Sequence, residues 1–326
     1  MILVTGGTGF VGAALVRALV ADGERVRVLR RPTSRLDLLG GAGREVQHAL
    51  GDVTDPESVR NACDGVDLVV HLAAAVAFGP AARRRLRAVN VRGTAHVVDA
   101  ALAAGVGRLV HTSSIAALGR PERPGGPIDE SAVWTASRQN TAYAVSKRDA
   151  EREVARGAAE GLDTVAVLPA LVFGPGARAG EGTGRIVERV AAGGVPLAPP
   201  GGTAVVDVAD VVAGLRAAAG RGGTGERYVL AAENLSWTAI LGTVAHALGT
   251  APPRATVPGA FLRAAGALGD LAGAVTRREP ALTRATARTA AETHRYSAAK
   301  AVRELGVTFR PFAETAARIA SARAGR

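Results

Sequence analysis

The stretch Met1-Ile2-Leu3-Val4-Thr5-Gly6-Gly7-Thr8-Gly9-Phe10-Val11-Gly12 constrains the fold more than any other part of the chain. Ile2 to Val4 is a short apolar run of buried-strand type. It enters three glycines spaced G-x-x-G-x-x-G (Gly6, Gly9, Gly12) and then Ala13 to Leu19, which reads as a helix. Glycine lets such a turn form and lets backbone amides approach a phosphate, while the positive end of the helix favours the negative charge. The alternative is a glycine-rich turn with no ligand. The placement between a first strand and a first helix argues for a dinucleotide site, with Thr8, Phe10 and Val11 beside the glycines.

The remaining pattern repeats strand and helix. Arg25–Leu29, Glu45–His48, Asp67–Leu72 and Arg108–Thr112 read as strands, and Ala81 to Ala104 as a long helix. This alternation predicts a Rossmann-type doubly wound parallel α/β sheet. Ligands of such sheets bind beyond the carboxyl ends of the strands, and Gly6, Arg30, Asp52, Ala73 and Ser114 all fall there. The second-strand end ordinarily meets the adenosine ribose, where an acid favours NAD(H). Here it is Arg30, followed by Arg31 and, close behind, Ser34, which favours the 2′-phosphate of NADP(H) and leaves NAD(H) as the second choice. Asp52 suits either the adenine amino group or the turn it starts. The small residues Ala73 and Ala74, after Leu72, let a flat cofactor lie close. The expected division is 1–170 for cofactor, with 204–230 returning to it, and 171–326 mainly for substrate.

A polar loop from Gly119 to about Asn140 leads to Tyr143-Ala144-Val145-Ser146-Lys147, and a helix continues to about Ala159. Tyr143 and Lys147 are four apart and share a helix face. A tyrosine hydroxyl ordinarily titrates near pH 10, and an adjacent ammonium would lower that value. Ser114, at the end of the fifth strand, can hold a carbonyl oxygen beside Tyr143. A second such pair, Tyr296 and Lys300, lies far from any strand terminus and is expected to be structural.

Composition excludes several functions. The net charge is +11, but arginines are spread along the chain and aromatic residues make up 3%, too few for stacking platforms, so no nucleic-acid partner is expected. The densest cluster, Arg83-Arg84-Arg85 with Arg87, reads as a solvated helix face. No apolar run reaches membrane-span length, and no secretory signal precedes the first strand, so a cytoplasmic protein without membrane contact is expected. Cys63 is the only cysteine and the six histidines lack ligand spacing, so no metal is expected.

Together, the glycine turn, Gly51-Asp52-Val53-Thr54-Asp55, His71-Leu72-Ala73-Ala74, Val89-Asn90-Val91-Arg92-Gly93-Thr94, Thr112-Ser113-Ser114, Tyr143 to Lys147, Pro169 to Pro175 and Arg303-Glu304-Leu305-Gly306 resemble the extended short-chain dehydrogenase/reductase family. Arg30 to Ser34 is most similar to its dihydroflavonol-reductase-like branch. The resemblance implies Ser114, Tyr143 and Lys147 as the catalytic group, adenine contacts from Asp52 and Val53, and a nicotinamide border from Thr112 and from Pro169 to Val172. Phe173 and Arg178, with Ser114 and Tyr143, are expected at the substrate, and the resemblance implies a homodimer through the helices at 81–104 and 141–159.

Two departures narrow the chemistry. Ser113-Ser114 stands where the family's sugar-nucleotide dehydratases carry an acid pair. Ala170 and Thr203 stand where its sugar-nucleotide epimerases carry an Asn and a diphosphate-binding Arg, although Arg178 or Arg185 could substitute. The expectation is an NADPH-dependent ketoreductase acting on a small, neutral or lipophilic carbonyl compound of secondary metabolism. An epimerase that retains its nicotinamide, and a cofactor-binding sensor without turnover, are the alternatives. In the C-terminal part, helices are expected near Ser236–Leu248 and Pro258–Val275. Phe261, Leu262, Leu268 and Leu271 are expected in the core, or else lining a pocket lid.

Overall fold

In the computed structural model, which describes residues 1–77, 82–120, 126–137, 140–193, 195–276 and 282–325, the opening apolar run is strand β1 (Ile2–Thr5), buried along its whole length. It turns into helix α1 (Phe10–Ala21), and β2 (Val26–Arg30) follows. β3 is Gln47–Leu50, two residues later than expected, because a 3-10 stretch at Asp37–Arg44 takes up the connection. Helix α2 (Pro56–Cys63), capped by Asp55, leads to β4 (Leu68–His71).

The helix expected from Ala81 begins outside the described residues. From Arg83 onward it is not one regular helix: α3 (Arg83–Leu86) passes through a π-helical turn at Arg87–Arg92 into α4 (Gly93–Ala103). Arg83, Arg84, Arg85 and Arg87 are exposed, as a solvated face requires. Then come β5 (Arg108–Thr112), α5 (Ala142–Ala159) and β6 (Thr164–Pro169). Within the expected polar loop, residues 121–125 and 138–139 lie outside the described residues.

The C-terminal part holds β7 (Leu171–Phe173), α6 (Gly182–Ala191), β8 (Leu197–Ala198), β9 (Gly202–Asp207), α7 (Val208–Arg221), β10 (Arg227–Leu230) and β11 (Glu233–Ser236). It ends in α8 (Trp237–Ala247), β12 (Ala255–Thr256), α9 (Gly259–Thr276), α10 (Arg284–Ala291), α11 (Ala299–Leu305) and α12 (Phe312–Ala324).

Seven strands form one parallel sheet in the order β10-β6-β5-β4-β1-β2-β3, so their carboxyl ends share one edge. Helices cover both faces, which is why the central strands are almost wholly apolar. Successive residues alternate between the two resulting cores: Val4 packs with Leu15, Val16 and Leu215, whereas Leu3 packs with Val59, Val69, Val97 and Leu109. Of the 204–230 segment, α7 and β10 pack with this sheet. β9 instead joins a smaller three-stranded sheet, β11-β9-β7.

One core expectation fails. Leu262 is buried, but Phe261, Leu268 and Leu271 are 71%, 68% and 64% exposed. Among the described residues, helix α9 packs mainly against α10, where a Cβ on Gly266 would lie 2.7 Å from Ala287, and the side that carries Phe261, Leu268 and Leu271 faces solvent.

Candidate active site

The glycine turn is built so that side chains could not fit. Gly6 has φ +70°, and a Cβ there would lie 2.7 Å from the Ala73 amide nitrogen. A Cβ on Gly12 would lie 2.2 Å from the Gly6 carbonyl oxygen. The turn is thereby pressed between β4 and the start of α1. Gly9 caps that helix without a side-chain bond, and its first turn carries no acid. The opening amides of a helix lack intrahelical acceptors, so those at Phe10, Val11 and Gly12 form a cradle at the positive helix end. Such a cradle fits the pyrophosphate of a dinucleotide. Thr8, Phe10 and Val11 are partly exposed beside it.

At the end of β2, Arg30 Nε donates to His48 Nδ1 at 3.0 Å, and His48 Nε2 lies 2.9 Å from the Gly43 carbonyl. The ring can accept from Arg30 only with its proton on Nε2. Arg31 is exposed, and the Ser34 hydroxyl accepts from its amide at 3.1 Å. Of the two roles open to Asp52, the structure displays the turn: its Oδ1 accepts from the Thr54 amide and hydroxyl at 2.9 and 2.8 Å. Val53 is buried against Gly93. Leu72 and Ala73 are partly exposed, Ala74 is exposed, and Thr5 Oγ1 accepts from the Ala73 amide at 3.2 Å.

The expected catalytic residues come together. The Thr141 hydroxyl caps α5 by accepting from the Ala144 amide at 3.1 Å, which places Tyr143 in the first helical turn. The Ser114 side chain lies close enough to the Tyr143 phenol to oppose the effect of burial on it, and the Ser114 hydroxyl accepts from the Ala116 amide at 3.2 Å. Lys147, 2% exposed, donates from Nζ to the Thr112 carbonyl at 2.8 Å. Burial lowers its ammonium to about 8.

The expected lowering of Tyr143 by Lys147 is not what the structure displays. Burial pushes the Tyr143 phenol up, and the groups that oppose it are Ser114 and Arg120. Lys147 instead directs its proton at a main-chain carbonyl. Behind it, His71 and His111 are buried with ring centroids 5.3 Å apart. Burial first, and the Lys147 charge second, hold His71 at about 3 and His111 well below its usual range, so both are neutral packing residues at neutral pH.

Two substrate assignments need correction. Phe173 is fully buried and meets Phe312 edge-on at 5.0 Å, so its ring belongs to the smaller core. Arg178 pairs with Asp37 at 2.7 Å, across to the segment after β2. Arg185 donates twice to the Gly180 carbonyl, at 3.0 and 2.7 Å. Pro169 is buried, and Val172 is partly exposed.

Three residues that sequence reasoning left unassigned take part. Asn90, in the π-helical turn, accepts from the Ala75 amide at 2.7 Å and donates to the Ala75 carbonyl at 3.0 Å and to Ser146 Oγ at 2.9 Å. One buried amide thus joins the β4 loop to α5. Arg120 stands near Tyr143, and Glu151 lies one turn beyond Lys147 on α5. A signal was available: of 40 basic side chains two are lysines, Lys147 and Lys300. In so arginine-rich a chain, lysine marks a place where a guanidinium does not serve.

The model of the NAD dependent epimerase/dehydratase family matches residues 2–231. The sterol demethylase protein B of Methylococcus capsulatus is 37% identical over 82% of this chain and 80% of its own length. A putative dihydroflavonol 4-reductase of Synechocystis sp. is 35% identical over 93% of this chain and 89% of its own. The crystal structure of gox2253 superposes with a TM-score of 0.84 and 32% identity, covering 100% of this chain and 98% of that one. With its glycine cradle, its parallel sheet and its Ser114-Tyr143-Lys147 group, the chain belongs to the NAD dependent epimerase/dehydratase family of extended short-chain dehydrogenases/reductases, whose members use a nicotinamide cofactor.

Proposed function

We propose that this protein is an NADPH-dependent ketoreductase acting on a ketone or aldehyde of a small, neutral or lipophilic molecule. The observation that carries this reading is the placement of Ser114 beside the Tyr143 phenol in the first turn of α5, with Lys147 buried one turn further along the same helix. Gly6, Thr8 and the amides of Phe10, Val11 and Gly12 would hold the pyrophosphate, Arg30 and Arg31 the 2′-phosphate, and Lys147 the ribose. Held there, a nicotinamide would supply the hydride that reduces the carbonyl carbon. Tyr143 gives its proton to the substrate oxygen, while the Ser114 hydroxyl orients and polarises that oxygen. Because burial raises the Tyr143 phenol, it stays protonated at neutral pH and serves as an acid. The phenolate left behind is met by Ser114, by the Arg120 charge and by the positive end of α5.

Several features favour a carbonyl compound over a nucleotide sugar. The guanidinium groups of Arg178 and Arg185 are both engaged, Ala170 is buried, and Thr203 carries no charge for a diphosphate. Relatives named for a sterol and for a dihydroflavonol agree with a lipophilic substrate. The lone Cys63 is buried, and burial pushes its thiol up to about 11, which suits a reducing cytoplasm.

The test is a titration of the purified protein with NADPH and NADH, then turnover on ketones and on nucleotide sugars. Tighter NADPH binding with consumption on ketones is expected. Retained cofactor with isomerised sugar and no net consumption would mean an epimerase instead, and binding without turnover a sensor. Arg30→Asp should weaken NADPH by roughly 10-fold or more while leaving NADH nearly unchanged. Equal losses for both would remove the basis for the NADPH preference.

A further inference from the structure

The sequence places Tyr143, Lys147 and Glu151 at successive four-residue intervals on α5, and the fold buries Lys147 at the middle of that face, with Tyr143 and Glu151 partly buried on either side. Glu151 is 11% exposed. Its Oε2 pairs with Arg227 at 3.2 Å, and Arg227 reaches from β10 to the Glu130 carbonyl as well. Glu130 Oε1 accepts from the Val229 amide at 2.6 Å, which fixes the segment before α5 to the same strand. The Ser113 hydroxyl and Glu151 Oε1 are buried without a well-formed hydrogen bond, yet the hydroxyl lies close enough to favour the charged carboxylate.

The groups around the Lys147 ammonium can be taken element by element. From β5 come the Thr112 carbonyl and the neutral His111, and from β4 the neutral His71. Its own helix supplies Tyr143 on the cofactor side and Glu151 on the other. Glu151 is the negative charge acting on Lys147, and it opposes the effect of burial there. A carboxylate in this position is costly, since burial works against its ionisation as well. Arg227, Ser113 and Lys147 offset that cost.

We propose that Glu151, held by Arg227, is a positioning residue that keeps Lys147 in its charged form from one helical turn behind the active site. It touches neither the substrate oxygen nor the cofactor cradle, and acts through Lys147 alone. The proposal rests on Lys147 belonging to the site. Its test needs no substrate, so it stands or falls apart from the ketoreductase reading.

Having two lysines makes the chain suited to direct titration. In protein labelled with ε-13C lysine, two side-chain resonances are expected, and Lys300→Arg assigns them. In the wild type, without cofactor, Lys147 should titrate near pH 8. Glu151→Gln should lower the Lys147 midpoint by about one pH unit or more and leave Lys300 in place. Glu151→Asp keeps the charge but draws it back by one methylene, so it should move the midpoint in the same direction by less. If Glu151→Gln fails to fold, the aspartate variant decides. A Lys147 midpoint unchanged in the folded variants, with thermal stability alone reduced, would overturn the proposal and leave Glu151 as a staple between α5 and β10.

Discussion

Two regions of this molecule carry tyrosine and lysine four residues apart, and they share nothing beyond the spacing. Tyr143 and Lys147 lie in a continuous helix, so the spacing becomes a shared face. Tyr296 precedes α11, which begins at Ala299, and is bridged to Ile128, so there the same spacing crosses an irregular segment. Lys147 is almost fully buried and spends its proton on a carbonyl, whereas Lys300 pairs with Glu226 and packs 4.9 Å over the Tyr228 ring. Tyr143 is partly exposed beside Ser114, whereas Tyr296 is 3% exposed in the main core. The lesson is that a sequence interval becomes chemistry only where regular backbone, burial and a polar neighbour coincide.

The sharpest way to break the comparison is to remove the two phenol hydroxyls in turn. Tyr143→Phe should cost turnover roughly 10²- to 10⁴-fold with cofactor binding retained, the usual range for loss of a general acid. Tyr296→Phe should leave turnover unchanged, because among the described residues its buried hydroxyl has no hydrogen-bond partner. Equal effects would erase the distinction between the regions.

A second contrast concerns stability. Burial lowers Lys147 to about 8 in the folded chain, against the ordinary lysine value of 10.5 when unfolded, so between those values the unfolded chain binds more protons. Stability due to this group therefore rises with pH across that window. Lys147→Met should flatten that rise and stabilise the protein by roughly 2–3 kcal/mol at neutral pH, at the expense of activity. Denaturant unfolding at pH 7 and pH 10 measures both. His71 and His111 act in the opposite range: below about 6.5 each is charged when unfolded but held neutral when folded, so their contribution is full above that pH and is lost as pH falls below it, for His71 down to about 3. The smallest effect is expected at Lys300→Met, about 0–1 kcal/mol with no change in turnover, since its ion pair with Glu226 is half open to solvent.

The site was legible in unequal parts. The glycine turn, Ser114, Tyr143 and Lys147 could be found because each sits at a strand end or on a helix, where local pattern fixes geometry. Phe173 and Arg178 were misassigned because position along the chain does not say which way a side chain turns after β7. The exposed face of α9 was misjudged for a related reason: apolar spacing identifies a helix face but not its neighbour. Asn90 and Glu151 went unassigned because their partners are distant, Ser146 lying 56 residues from one and Arg227 lying 76 residues from the other.

By itself the sequence determined the parallel sheet and the glycine turn at its edge, because strand periodicity and glycine stereochemistry act over a few residues. Only the tertiary structure decided which tyrosine–lysine pair is buried beside a serine and which arginines are already engaged. It also decided that the charge facing Lys147 is Glu151. Those outcomes depend on burial and on charges brought together by the sheet order, which no local pattern carries.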